Sequence, residues 1–366
     1  MSLVTHLSRF LILLSCIFLI SCSKDPIREI TVDPYDTTTK PAEYGKGVFV
    51  INEGNYNWGN ASVTFVDYTT GIATQNIFTK ENGRNLGDVA QSMKIINGKG
   101  YIVVNNSYII EIVDIQTFKS IQTIKGFPSP RHIGVINSKK AYVSNLKKGI
   151  SILNLVTNEI TGTILIEGWT ENLVLCDKFM FVTCIGEYRE PSSKRHQWIA
   201  VLDTESDQVV DTLPCGKEPI GMVMDKNNKI WVLCSGGYDF YERPSLMRIN
   251  PSNRAIEEVI PFQASQRVPG KLTINTAGDT LYFLNGGIFR MPIQSETIPA
   301  NPWIPSNGRL LYGLSVHPVN RTVFVSDALD YVQNGVVYQY DPNGVLIRQF
   351  TVGRIPGSFC FTPLTQ

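Results

Sequence analysis

The sequence predicts an all-β fold built from seven copies of one four-stranded unit, and three observations predict it. A short strand phrase recurs: "VFVIN" ending at Asn52, "YIVVN" at Asn105, "AYVSN" at Asn145, "MFVTC" at Cys184, "IWVLC" at Cys234, "LYFLN" at Asn285 and "VFVSD" at Asp327. The copies are spaced by 53, 40, 39, 50, 51 and 42 residues, a period that marks a repeat architecture. Each period carries the same grammar of four short β-rich runs between Gly, Asn, Asp, Ser and Lys turns, and no stretch shows a long helical period. The two ends also complement each other. The first copy, starting near Gly47, lacks an innermost strand, and "GSFCFTPL", Gly357 to Leu364, reads as an innermost strand with nothing after it. A four-stranded unit cannot cover both of its own faces; stacking units around an axis buries them. The expected architecture is a seven-bladed β-propeller over residues 45–366, the last blade closed by the N- and C-terminal strands.

The third period shows the grammar in order. "HIGVI" is a short apolar strand and "NSKK" a turn; "AYVSN" is a second strand, "GISILNL" an alternating third, "VTNE" a turn and "ITGTILI" a fourth strand. Three residues before each anchor stand Phe49, Ile102, Tyr142, Phe181, Trp231, Tyr282 and Phe324, six of the seven aromatic.

The N-terminus reads as a targeting segment rather than as fold. Arg9 precedes an apolar run, Phe10 to Ile20, too short to span a bilayer and of signal-peptide length. It ends in "LISC", which matches the bacterial lipobox with Cys22 as the lipidated residue. The expected organisation is a signal peptide over 1–21, a lipidated Pro-spaced tether over 22–44 and the propeller over 45–366. Such a chain is held at a membrane by its lipid anchor alone. The Lys24-Asp25 pair after the cysteine resembles the surface-export signal of Bacteroidetes lipoproteins, which implies an outer-membrane, cell-surface location, with the periplasmic face as the alternative.

Charge excludes other classes. Lys and Arg number 33 against 32 Asp and Glu, and loss of residues 1–21 leaves 32 of each, so no field favours nucleic acid. Cys176, Cys184, Cys215, Cys234 and Cys360 form no C-x-x-C pair and read as buried thiols rather than as disulfides or a zinc site.

At this point the residues carry a resemblance. "AYVSNLKKGISILNLVTNEITGTI" resembles the YVTN-type propeller repeat, and "GKEPIGMVMDKNNKIWVLC" matches its adjoining Gly-x-x-Pro strand. With the lipobox, the chain resembles the propeller lipoproteins of Bacteroidetes, among them surface proteins that capture cobalamin beside an outer-membrane transporter. The resemblance implies a small-molecule ligand, a corrinoid in particular, and a transporter as partner. It is specific for fold and far less so for function.

Strand order A to D, from the axis outward, puts the B–C loops and D–A connections on one face and the A–B and C–D turns on the other. The latter are short and polar. The former are long and aromatic, and function concentrates where loops exceed the minimum. Tyr56, Trp58, Tyr108, Tyr188, Trp198, Tyr238, Tyr241 and Tyr331 stand in B–C loops; Arg131, His132, Trp169, Arg267, Arg309, Tyr312 and Arg354 stand in D–A connections. These are the candidate ligand-binding residues, with burial of each ring within its own loop as the competing reading. Flat rings with polar edges and guanidinium forks suit a broad amphipathic ligand bearing amides, carboxylates or phosphate.

Catalytic signatures are not in evidence. There is no H-E-x-x-H, no G-x-S-x-G elbow and no Gly-rich phosphate loop. The expectation is a monomeric binding module, not an enzyme, with no cofactor or metal. An enzyme using Arg131, His132 and Asp88, and a surface scaffold for protein or glycan, stay open as alternatives.

Overall fold

The computed structural model describes residues 44–185, 197–237, 242–263 and 268–363. Within them lie seven four-stranded antiparallel sheets, arranged as the blades of a β-propeller. Blade 1 comprises Gly47–Asn52, Ser62–Asp67 and Ala73–Thr74, with the C-terminal strand Pro356–Phe361 as its innermost member. Blades 2 to 7 follow in chain order, each running from an innermost to an outermost strand. Their inner strands are Ala90–Ile96, Pro130–Val135, Trp169–Cys176, Pro219–Met224, Gly270–Ile274 and Leu311–Val316. Adjacent inner strands contact one another around the ring, and Pro356–Phe361 closes it between blades 7 and 2.

The closure is as the sequence predicts. Val48, Phe49, Val50 and Ile51 pair with Phe361, Cys360, Phe359 and Ser358, so strands from the two ends form one ladder. Thr362 adds a reciprocal pair of contacts with Gly47 beyond it.

The repeat phrase occupies the second strand of each blade because that strand is covered on both faces. Phe49, Ile102, Tyr142, Phe181, Trp231, Tyr282 and Phe324 are all buried. The anchor has a different task. Asn52, Asn145 and Cys184 each turn back to the carbonyl two residues earlier, on Val50, Val143 and Val182. Asn145 also donates to Gly149 O and Ser151 Oγ, and Asn105 reaches Pro130 O in the next blade. The anchor thus ties off the start of the B–C loop, whose backbone leaves the ladder there and needs partners.

The opposite face is closed by side-chain-capped turns. Asp67, Asp114, Asn154, Asp203 and Asp341 each accept backbone N–H groups two to four residues on. His317 does the same with Nδ1, accepting from Val319 and Asn320. One element lies beyond the repeat grammar: the outermost strand of blade 1 is only two residues, and a six-residue helix, Ile77–Asn82, buries Ile77 and Phe78 beside it. Six residues are too few to show a helical period. Burial pushes the thiols of Cys184 and Cys360 up to about 12, the state of inert core cysteines.

Candidate functional site

Every inner strand slips register at the same place. The ladders skip Gln91, Ile220, Lys271 and Gly357 singly, and the pairs Arg131-His132, Glu171-Asn172 and Tyr312-Gly313. Such bulges free a residue from pairing and re-aim its side chain. A belt of hydrogen bonds holds several of these bulges to the neighbouring blade: Ser358 donates to Gln91 O, Ser92 to Arg131 O, Ser144 to Glu171 O and Asn172 to Ile220 O. The blades therefore free one or two inner-strand residues each, near the end of the ring where the B–C loops emerge.

Those residues meet. Arg131 Nε donates to both oxygens of Glu171 at 2.9 Å, and its Nη1 donates to Gln91 Oε1. Tyr312 Oη donates to Glu53 Oε2 at 3.0 Å, while the Lys271 ammonium lies 5.4 Å from the Tyr312 ring centroid. Glu53 comes from the B–C loop of blade 1 and covers Gly357, which has no side chain of its own. Lys271 holds φ of 47°, a left-handed conformation unfavourable for a lysine.

Burial and charge set the protonation states. Burial pushes the Glu53 carboxyl up, against the pull of Lys271 and Arg131. Burial pulls the Lys271 ammonium down despite Glu53. His132, with Nε2 3.8 Å from Glu171, is lowered to about 3 by burial and then by Arg131, Lys271 and Lys94, so it is neutral at physiological pH. Tyr312 is raised by burial and by the Glu53 charge.

Beside this cluster opens a cavity of about 470 Å³ spanning blades 3 to 7. Arg131, Glu171, Ile220, Lys271 and Tyr312 line it, together with Glu218, Ser235, Arg309 and Tyr331. The opening lies on the loop-rich face, where B–C and D–A segments supply its walls. Among the described residues no group of three His, Cys, Asp or Glu side chains is placed to hold a metal ion.

Of the residues singled out from sequence, Arg131, Arg309, Tyr312 and Tyr331 line the cavity. Tyr56, Trp58 and Tyr108 stand exposed on loops of blades 1 and 2, at 67%, 77% and 46%. Asn55 Nδ2 donates to Tyr331 O, which links the blade 1 loop to the cavity edge. Trp169 begins its inner strand, partly buried. Trp198 lies in the strand Gln197–Asp203 rather than in a loop, and packs on the cluster containing Tyr142 and Val182. Arg354 is exposed and donates to Val332 O. Asp88 bonds Asn57 and Asn106, not Arg131 or His132. Tyr188, Tyr238, Tyr241, Arg267 and Cys22 lie outside the described residues.

Glu53, Gln91 and Lys271 were missed. A signal existed: Gln91, Arg131, Glu171, Ile220, Lys271 and Tyr312 stand 13 to 15 residues before their anchors. No single residue type recurs there, so only the common offset marks them.

The fold and its cavity define a seven-bladed β-propeller with a ligand-sized recess on one face. The chain belongs to the family described as a domain of unknown function, DUF5074, whose model matches residues 46–355. A search of curated proteins finds no match. Among solved structures it is similar to a quinoprotein alcohol dehydrogenase-like protein of Bacteroides thetaiotaomicron, with 16% identity over 88% of this chain and 79% of that one, and a TM-score of 0.69. It is also similar to Kuenenia stuttgartiensis hydrazine synthase, with 13% identity over 75% and 90% of the two chains and a TM-score of 0.59. Apo AztD of Citrobacter koseri gives 12% identity over 86% and 96%, with a TM-score of 0.54. At these identities the likeness is one of fold.

Proposed function

We propose that this chain is a binding module that captures a small amphipathic ligand on its loop-rich face. One observation carries the reading: the bulges of successive blades converge on a recess of about 470 Å³, and exposed rings stand on the loops of the adjoining blades. That volume is within the range of small-molecule sites, roughly 300–1,000 Å³. The arc of Tyr331, Tyr56, Trp58 and Tyr108 offers flat contact area at small entropic loss. Arg131, Lys271 and Arg309 offer donors for polar edges.

A corrinoid is the named candidate. Its broad ring suits the exposed arc, and its amide or phosphate groups suit the recess. Lipid attachment at Cys22 in the outer membrane, and delivery to an outer-membrane transporter, complete this reading; both rest on the sequence.

The test is direct. Full-length protein lacking only the signal peptide is mixed with cyanocobalamin and passed through gel filtration. Comigrating colour, lost at least ten-fold in Tyr331→Ala and Trp58→Ala, supports corrinoid capture. A colourless protein peak removes the corrinoid. The binding-module reading itself fails if no small molecule from a broad calorimetric screen binds, or if binding ignores both ring substitutions.

A further inference from the structure

Among the described residues, one cavity cation has neither a hydrogen bond nor a close ion pair. Arg131 is committed to Glu171 and Gln91. Arg309 donates to Tyr340 Oη at 3.1 Å and stacks 4.1 Å above the Tyr338 ring. Glu218 accepts from Ser235 Oγ, and Glu53 accepts from Tyr312. Lys271 alone among these cations makes no hydrogen bond among the described residues; it lies over the face of Tyr312 and feels Glu53 and Glu171 only at longer range. The cavity-lining charges are three cations, Arg131, Lys271 and Arg309, against two acids, Glu171 and Glu218. A bulge and a left-handed backbone hold this ammonium at the wall. Strain of that kind persists where the surrounding structure enforces it and concentrates at functional sites.

We infer that Lys271 is the anion-recognition point of the cavity, taking the carboxylate or phosphate group of a bound ligand. The inference rests on the binding-module reading and specifies the chemistry of its ligand. An anion in contact with Nζ restores the partner that the fold omits, in surroundings where a charge-assisted hydrogen bond is stronger than in water. Tyr312 flanks the ammonium on one side, so an aromatic or otherwise flat acid fits better than a branched one. Burial holds the Lys271 ammonium below its ordinary range, and an anion in contact opposes that shift.

Three probes of matched shape test this: benzoate, phenyl phosphate and neutral benzamide, compared at equal ionic strength by thermal unfolding and by calorimetry. The expected result is a midpoint raised by at least one of the two acids and not by benzamide. The acid with the larger effect identifies carboxylate or phosphate as the native group. Lys271→Met weakens that binding at least ten-fold, and Lys271→Arg retains most of it. Lys271→Met should still unfold in one cooperative transition, which the thermal scan reports directly. The inference is overturned if benzamide stabilises as much as the acids, if neither acid acts, or if Lys271→Met responds like the native chain. In those cases colour retained with cyanocobalamin, or another ligand lost on Tyr331→Ala, leaves the binding-module reading standing.

Discussion

Glu53 occupies the space that a side chain on Gly357 would need: a Cβ there would come within 2.3 Å of Glu53 Oε1. The residue that closes the ring from the C-terminus is thus shaped to admit a carboxylate from the N-terminal blade. That carboxylate then receives the hydrogen bond from Tyr312. Closure of the fold and construction of the cavity wall are one event at this point.

Gly357→Ala follows directly. The methyl group displaces Glu53 and breaks its bond with Tyr312, an overpacking penalty of about 1–3 kcal/mol. Urea unfolding should show a lower midpoint with an unchanged slope. An unaltered midpoint would mean that Glu53 moves aside freely.

The anchor asparagines provide an internal comparison. Asn145 Nδ2 shares its two hydrogens among three acceptors, whereas neither amide atom of Asn285 has a partner among the described residues. Asn145→Ala should destabilise by about 1–3 kcal/mol, because Gly149 O and Ser151 lose a buried donor. Asn285→Ala should be close to neutral. Equal losses in the two variants would contradict the different roles assigned to these positions.

The latch is testable by shortening the chain. Ending it at Ile355 removes Pro356–Phe361 and leaves Gly47–Asn52 without its inner partner and Val48 and Val50 uncovered. We expect loss of cooperative thermal unfolding and association in gel filtration. A single sharp transition near that of the full chain would show that the ring holds without its C-terminal strand.

His132 sets an acid limit. Its folded pKa is depressed to about 3 from an ordinary value of 6.5. Below 6.5 the unfolded chain takes a proton that the folded chain refuses, so stability falls as pH drops from about 6.5 toward 3. His132→Gln should flatten that part of the midpoint–pH curve relative to the native chain. Parallel curves for the two proteins would remove His132 from the acid response.

The blades were legible in the sequence because each obeys a local rule. Tyr142 and Trp231 mark strands covered on both faces, Asp67 and Asp203 cap turns two to three residues on, and the unpaired phrase "GSFCF" announces a strand that must find its partner elsewhere. The face carrying the recess was legible too, since loop length is written in the repeat intervals. Trp198 shows where this ends: its loop and its strand differ by a single step of register, which a spacing argument does not resolve. Cys184 and Cys234 show the same limit, replacing asparagine at the anchor without altering the fold.

Sequence by itself determined the number of blades, the strand carrying the core and the pairing of the two chain ends, because those depend on hydrophobic period and turn chemistry within about forty residues. Tertiary structure alone decided which side chains share the recess. Arg131, Glu171, Lys271 and Tyr312 are brought together from four blades by a bulge in each inner strand and by the curvature of the ring, and Glu53 reaches Tyr312 from the B–C loop of blade 1. That convergence depends on distances across the axis, which leave no mark along the chain beyond a common offset from the anchors.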